Sequence, residues 1–403
     1  MLRALAIVTI AAMLVAACDR TSAPLAHDAY VWQRQWTPAL RDAMASSSDL
    51  VRDWRVLVAQ ADRNGAFHTF APDREALARS GRPVVLVVRI DGRLAAFDAA
   101  VLADRIAALR AAWPAALIAG IEIDYDCPTA RLPAYTAFLT SLRSRLGSLP
   151  LSITALPTWL GSRDLDALLA VPDESVLQVH AVQAPQAGLF DPLVANRWID
   201  EFAAHTRKPF RVALPTYGSR VSWNEDGSLL AVESEQGALA AGATSSELYA
   251  APNTLMAFVE QLSKDRPRGL AGVVWFRLPT ADDTRAWSLA TWRGVVRGQL
   301  DTLPLLITLQ PGRAADAPSD VMLENRGATD AAPPPRVALP ASCELADGID
   351  GYRLQRAGAS FELIAEGARQ IPARTRRSIG WARCKPGTPL TLSPTPAQGT
   401  PVS

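Results

Sequence analysis

The sequence is poor in histidine and cysteine. It has 4 histidines in 403 residues, and none falls in a His-x-His or His-Glu-x-x-His spacing. Such spacings put two imidazoles on one metal ion, so a metal-dependent hydrolase such as a polysaccharide deacetylase is disfavoured. Neither metal nor cofactor is expected. There is no Gly-x-Ser-x-Gly elbow, and no glycine-rich phosphate loop follows the first strand-like segment. The 41 basic and 40 acidic side chains are mixed without a basic block, which argues against nucleic acid as a partner. After residue 17 no apolar run is long enough to span a bilayer.

The first 17 residues are the exception. A charged start, Met-Leu-Arg, leads into an almost wholly apolar run from Ala4 to Ala17. This is the pattern of a secretory signal. The stretch Leu14-Val-Ala-Ala-Cys18 resembles a bacterial lipobox, in which the cysteine is acylated and becomes the mature N-terminus. The expectation is a signal peptide over 1–18, a polar tether over 19–28, and a body lipid-anchored to membrane on the periplasmic side of the cell envelope. The compartment permits disulfides. Of the remaining cysteines, Cys343 and Cys384 share the C-terminal segment and could pair. Cys127 is then single and reads as a buried, inert thiol.

What is present centres on one strand-like stretch, Leu117 to Pro128. Ile118, Ile121 and Ile123 supply β-branched apolar residues, and Glu122, Asp124 and Asp126 stand at i, i+2 and i+4. A strand repeats its facing every two residues, so all three carboxylates share one side, roughly 6–7 Å apart per step. Like charges on a core strand are costly unless they are paired, protonated or used. Two readings follow: an active site, or an ion-pair network with inward-pointing arginines such as Arg34 and Arg89.

Strand-like and helical segments alternate around this stretch. Strands are expected at 30–36, 55–59, 83–90, 117–126, 151–155, 176–182, 210–217 and 270–277. Helices are expected at 98–112, 132–146, 192–205, 254–262 and 283–296, with a long polar insertion at 218–250. Eight strand–helix units over residues 29–298 have the size of a (β/α)8 TIM barrel; a doubly wound open sheet is the alternative. From 299 to 403 helical periodicity disappears. Short strands between turn residues read there as a small all-β module, sandwich-like.

Three segments resemble family-18 glycoside hydrolases, the chitinases and their relatives. Gly120-Ile-Glu-Ile-Asp-Tyr-Asp-Cys-Pro128 is similar to that family's fourth-strand acidic motif. Ala213-Leu-Pro-Thr-Tyr-Gly-Ser-Arg220 is similar to its seventh-strand segment, and Gly272-Val-Val-Trp-Phe-Arg277 to its eighth strand. The whole chain also resembles an uncharacterised family of bacterial lipoproteins, the domain of unknown function 3142. The resemblance implies Asp126 as general acid, Asp124 as the substrate-orienting acid and Glu122 as its proton-sharing partner. It implies Tyr217 and Trp275 as substrate-contacting aromatics. His180, on the strand-six face, either lines the pocket or is a core histidine.

The likeness has departures. Ala119 replaces the first acid of the motif, Asp126 is shorter than glutamate, and Val182 and Gln183 stand where the family has a catalytic Tyr-Asp pair. A conventional two-carboxylate mechanism would need a second acid, for which Asp91, Glu225 and Asp226 are candidates; as solvated loop carboxylates they would have no role. Trp32, Trp36, Trp159 and Trp223 either line a sugar cleft or fill the core. The expected function is hydrolysis of a β-linked, N-acetylated or plain glycan, with a carbohydrate polymer or oligosaccharide as partner. The alternative is a non-catalytic glycan-binding or structural lipoprotein on a degenerate barrel.

Overall fold

A computed structural model describes residues 24–94, 98–180, 189–223, 229–233, 244–314, 317–358, 360–366 and 370–392. Its organising sheet is a closed barrel of parallel strands: β1 (Ala26–Val31), β2 (Trp54–Ala61), β3 (Val84–Ile90), β4 (Ile118–Tyr125), β5 (Leu151–Ala155), β6 (Glu174–Gln178), β7 (Phe210–Pro215) and β8 (Leu270–Phe276). Each pairs with its neighbour in sequence, and β1 pairs with both β2 and β8, which closes the ring. Outside it lie α1 (Pro38–Ala45), α2 (Arg74–Arg79), α3 (Ala99–Ala111), α4 (Leu132–Leu146), α5 (Leu165–Leu169), α6 (Pro192–His205), α7 (Pro252–Lys264) and α8 (Leu289–Val296). The chain is a (β/α)8 TIM barrel followed by a small all-β module.

Local chemistry explains where helices start. Asp98 accepts from the amides of Ala100 and Val101, and Asp191 from those of Leu193 and Val194, which satisfies first-turn donors. Pro192 and Pro252 stand at the first turn, where no intrahelical donor is needed. The short helices α1, α2 and α5 carry too few apolar repeats to be recognised in the sequence.

The strands are covered on both sides. The outer side packs a large apolar core under the helices, including Trp54, Tyr135, Trp159, Phe210 and Trp275. The inner side holds a smaller cluster of Tyr30, Trp32, Leu57, Val87, Val176, Ala213 and Val274. Tyr30, Trp32, Ala213 and Val274 therefore point inward, and their odd- or even-numbered neighbours outward.

Two boundaries differ from expectation. The first strand starts at Ala26, inside the segment read as a tether, and Leu25 is buried, because pairing with β8 draws the chain into the sheet. The insertion after β7 contains a three-stranded antiparallel sheet over 218–223, 229–233 and 244–249, rather than a polar loop.

The C-terminal module has two sheets. β9 (Leu306–Gln310), β10 (Ser319–Glu324), β12 (Cys343–Gly348), β15 (Arg376–Cys384) and β16 (Thr391–Leu392) form one; β11 (Arg336–Ala338), β13 (Tyr352–Ala357) and β14 (Ser360–Ala365) form the other. Ile307, Val321 and Ile379 of the first share a core with Val337, Tyr352 and Leu363 of the second, as in a sandwich. Cys343 and Cys384 face each other on β12 and β15 and are joined by a disulfide. Among the described residues, no helix is long and apolar enough to cross a membrane. Cys18, Val182, Gln183, Glu225, Asp226 and the side chain of Trp223 lie outside the described residues.

Candidate active site at the mouth of the barrel

The three carboxylates of β4 and its end divide by depth. Glu122 is fully buried in the barrel interior. Its carboxylate accepts from Tyr30 Oη at 2.6 Å and Ser152 Oγ at 3.0 Å, and is ion-paired with Arg55. Arg55, from β2, also pairs with Glu174 and with Asp28, the latter at 3.0 Å. Arg211, from β7, bonds Glu174 at 2.9 Å. Its Nη1 occupies space left free by the missing side chain of Gly272. Burial alone would raise the Asp28 carboxyl; the guanidiniums of Arg55, Arg211 and Arg52 outweigh it and hold it below the ordinary value. Burial likewise opposes the charge of Arg55, and Glu122, Asp28 and Glu174 outweigh it and hold Arg55 protonated.

Glu122 is therefore a member of a buried ion network, not of the mouth. Its partner is Arg55, not Arg34 or Arg89. Arg34 is exposed, bonds Gln60 Oε1 at 2.8 Å and lies over Phe70.

Asp124 lies nearer the mouth and is 4 % exposed, too little for full hydration. Thr154 Oγ1, from β5, donates to its Oδ1 at 2.8 Å, and Gln178 Nε2, from β6, lies 3.4 Å from the same oxygen. Desolvation, and then the charge of Asp126, raise its pKa to about 7; Arg89 and Thr154 act the other way without cancelling the rise. Asp126 follows the strand, ringed by protein and open to water above. Gln178 Nε2 lies 3.5 Å from its Oδ1, so one amide spans both acids. The Asp126 carboxyl is also raised, chiefly by lost hydration, with Asp91 adding to the effect and Arg89 opposing it. Two such carboxyls titrate as a pair and retain a proton in the neutral range.

Aromatic side chains surround the pair. Arg89, whose charge acts on both acids, lies 5.7 Å from the centroid of Trp32. Phe276 packs against Trp32, Tyr30, His180 and Tyr217, with centroids 5.0–5.7 Å apart. His180 is buried, and its Nδ1 lies 3.1 Å from the carbonyl of Ala213. Burial lowers its pKa to about 4, so it is neutral at physiological pH. His180 and Tyr217 thus both pack, buried, against Phe276.

Trp275 does not. It is fully buried on the outer side of β8, lies near-parallel to His27 and tilted against Trp287, and its Nε1–H donates to His27 Nδ1 at 3.1 Å. Strand parity puts Phe276 in the inward position instead. Trp159 is likewise core, with Nε1 donating to the carbonyl of Cys127 at 2.9 Å, and Trp36 packs partly buried against the same core. Cys127 is buried and free, its thiol pushed up to about 12 by desolvation. Asp91 accepts from the amide of Arg93 at 2.9 Å, and that bond leads in lowering its carboxyl. Among the described residues, no group of three His, Cys, Asp or Glu side chains is placed to hold a metal ion.

Sequence reading missed Thr154 as a partner of Asp124, and Phe276 as the inward aromatic. Thr154 was within reach: Glu122 stands opposite Ser152 across the β4–β5 ladder, so two residues on, Thr154 stands beside Asp124.

A family described as a domain of unknown function (DUF3142) matches residues 80–281, from before β3 to beyond β8. The chain belongs to this DUF3142 family. A second domain of unknown function (DUF8456) matches residues 308–385, within the β module. No curated protein matches the chain. Among solved structures, this DUF3142 protein is similar to the spore cortex-lytic enzyme SleL of Bacillus cereus, at 12 % identity and TM-score 0.51, over 68 % of this chain and 74 % of that one. A chitinase from Bacteroides thetaiotaomicron matches at 13 % identity and TM-score 0.50, over 69 % of this chain and 97 % of that one. At these identities the likeness is one of fold, the (β/α)8 barrel.

Proposed function

We propose that the barrel mouth binds a glycan and that the Asp124–Asp126 pair protonates a glycosidic oxygen, which makes this DUF3142 protein a glycoside hydrolase. The observation that carries the reading is the pair itself. The two carboxyls are spanned by the Gln178 amide, Asp124 keeps its proton to about pH 7, and Asp126 is the member open to solvent. Cleavage passes through an oxocarbenium-like transition state and needs an acid that is still protonated at working pH. Asp126 delivers the proton because it is the outer member; Asp124, held by Thr154, stores it. Trp32, Phe276 and Tyr217 offer apolar faces to sugar C–H groups. The described substrates of similar folds, spore cortex and chitin, favour a β-linked glycan carrying N-acetyl groups.

The second reading is glycan binding without cleavage. It is favoured by the described carboxylates near the mouth, which are engaged: Asp91 with Arg93, Asp283 with Arg277 at 2.5 Å, and Asp282 with Thr37 at 2.9 Å. The full chain and its Asp126→Asn variant, offered chitin oligosaccharides and peptidoglycan fragments, separate the two. Turnover abolished in the variant supports the hydrolase. Binding without turnover, equal in both proteins, refutes it and leaves the binding protein.

We propose, from the likeness of Leu14-Val-Ala-Ala-Cys18 to a lipobox, that the protein is anchored in the cell envelope by a lipid on Cys18. Labelled fatty acid incorporated by the chain and not by a Cys18→Ala variant supports that anchor; equal labelling, or none, rejects it.

A further inference from the structure

Two cavities flank the turn 280–284, which leads from β8 towards α8. One, of about 410 Å³, opens at the barrel mouth beside Trp32, Arg34 and Arg277. Its wall includes Trp32, whose ring lies 5.7 Å from the guanidinium of Arg89, the charge that acts on both acids. The other, of about 730 Å³, lies between the barrel and the C-terminal module. Thr280, Asp283 and Thr284 line both, so the turn is their common wall. Helix α1 contributes Asp42, and its C-cap Ser46, to the second cavity, and the module contributes Gln370, Thr375 and Arg376.

The two sides of this cleft are tied together. The buried carboxylate of Asp330, from the module, accepts from the amide of Ser288 at 2.6 Å and that of Ala373 at 2.9 Å. Thr291 Oγ1 accepts from the Asp330 amide at 2.7 Å. These bonds fix the module to the start of α8. The turn itself is held from the mouth side by the ion pair of Asp283 with Arg277 and by the bond of Asp282 with Thr37.

Such a lining alternates hydroxyls, an amide and charged groups with small apolar residues, the complement of a polyhydroxylated chain with C–H faces. Pockets for single small ligands run to about 300–1,000 Å³, so two adjoining cavities of this size suit a chain rather than one sugar. We propose that the C-terminal module supplies distal subsites: a glycan of several sugars, held at the mouth beside Asp126 and Trp32, passes over the turn 280–284 into the barrel–module cleft. The inference rests on the glycan reading of the mouth and names the substrate class as a polymer.

The test uses the full chain, with chitin oligosaccharides from dimer to hexamer and peptidoglycan chains of matched length. Backbone hydrogen exchange is followed at the ends of β3 and β4 and at 370–377, and affinity by calorimetry. Long chains are expected to protect both regions and dimers only the mouth, with affinity rising with length. Thr375 is exposed on the module, so Thr375→Trp fills the cleft without disturbing a core. It is expected to weaken hexamer binding about tenfold, a difference calorimetry resolves easily, and to leave dimer binding unchanged. Protection confined to the mouth, with Thr375→Trp silent, overturns the role of the module and leaves the glycan site standing. No protection in either region with either class of chain overturns the glycan site, and the module's role falls with it.

Discussion

Gly92, in the turn after β3, lies against the backbone of Asp126: a Cβ at residue 92 would meet the Asp126 carbonyl carbon at 2.9 Å and its oxygen closer still. The backbone of the outer acid is thus seated on the one residue of the neighbouring turn 91–93 that has no side chain. Gly92→Ala must push one of the two backbones away. The expected cost is about 1–3 kcal/mol of stability for the overpacking, and a loss of turnover on the order of tenfold to hundredfold if Asp126 moves by about 1 Å. Thermal unfolding and glycan turnover measure the two separately. Unchanged turnover would mean that the turn yields and Asp126 does not.

The acid pair is expected to make stability depend on pH below about 7 and turnover as pH rises through about 7. The folded protein holds the Asp124 proton up to about pH 7, whereas an unfolded chain releases it near pH 4. Between those values the native state binds more protons than the unfolded state, so stability falls as pH rises. Asp124→Asn is expected to flatten that slope, because the amide oxygen still accepts from Thr154 while no proton is released. Turnover by the wild type is expected to decline as pH rises through about 7. Denaturant melts from pH 4 to 8 check the first statement; a stability curve equally steep in the variant would refute it.

Glu122 is expected to act on stability rather than on chemistry, because it is buried in the ion network. Arg55→Met is expected to destabilise the fold by about 3–5 kcal/mol, because it leaves Glu122 and Glu174 buried or half-buried without their shared guanidinium. Glu122→Gln keeps an acceptor for Tyr30 and is expected to lower the unfolding midpoint without altering the pH profile of turnover. A profile shifted by Glu122→Gln would return this residue to the acid pair.

The disulfide closes a segment of 41 residues in the β module. Its removal by Cys343→Ser with Cys384→Ser is expected to destabilise the module by about 2–4 kcal/mol, through the freedom regained by the unfolded segment. Calorimetry should show the loss in the module, with the larger core of the barrel unaffected.

The sequence by itself determined the repeated strand–helix units, the all-β character after residue 298 and the common facing of Glu122, Asp124 and Asp126. These follow from local rules: a strand alternates every two residues, and a helix needs caps and an apolar stripe. It did not determine the order of importance among the three acids. Facing is a property of one strand, but depth depends on what the other strands place at the same level. Arg55, from β2, reaches Glu122; Thr154 and Gln178, from β5 and β6, reach Asp124. The facing of Trp275 was equally hidden. β8 is apolar on both faces because helices cover one and the barrel interior the other, so Val273, Val274, Trp275 and Phe276 show no alternation from which an inward side could be chosen. Only closure of the barrel decided that Phe276 lines the mouth and Trp275 packs beneath the helices.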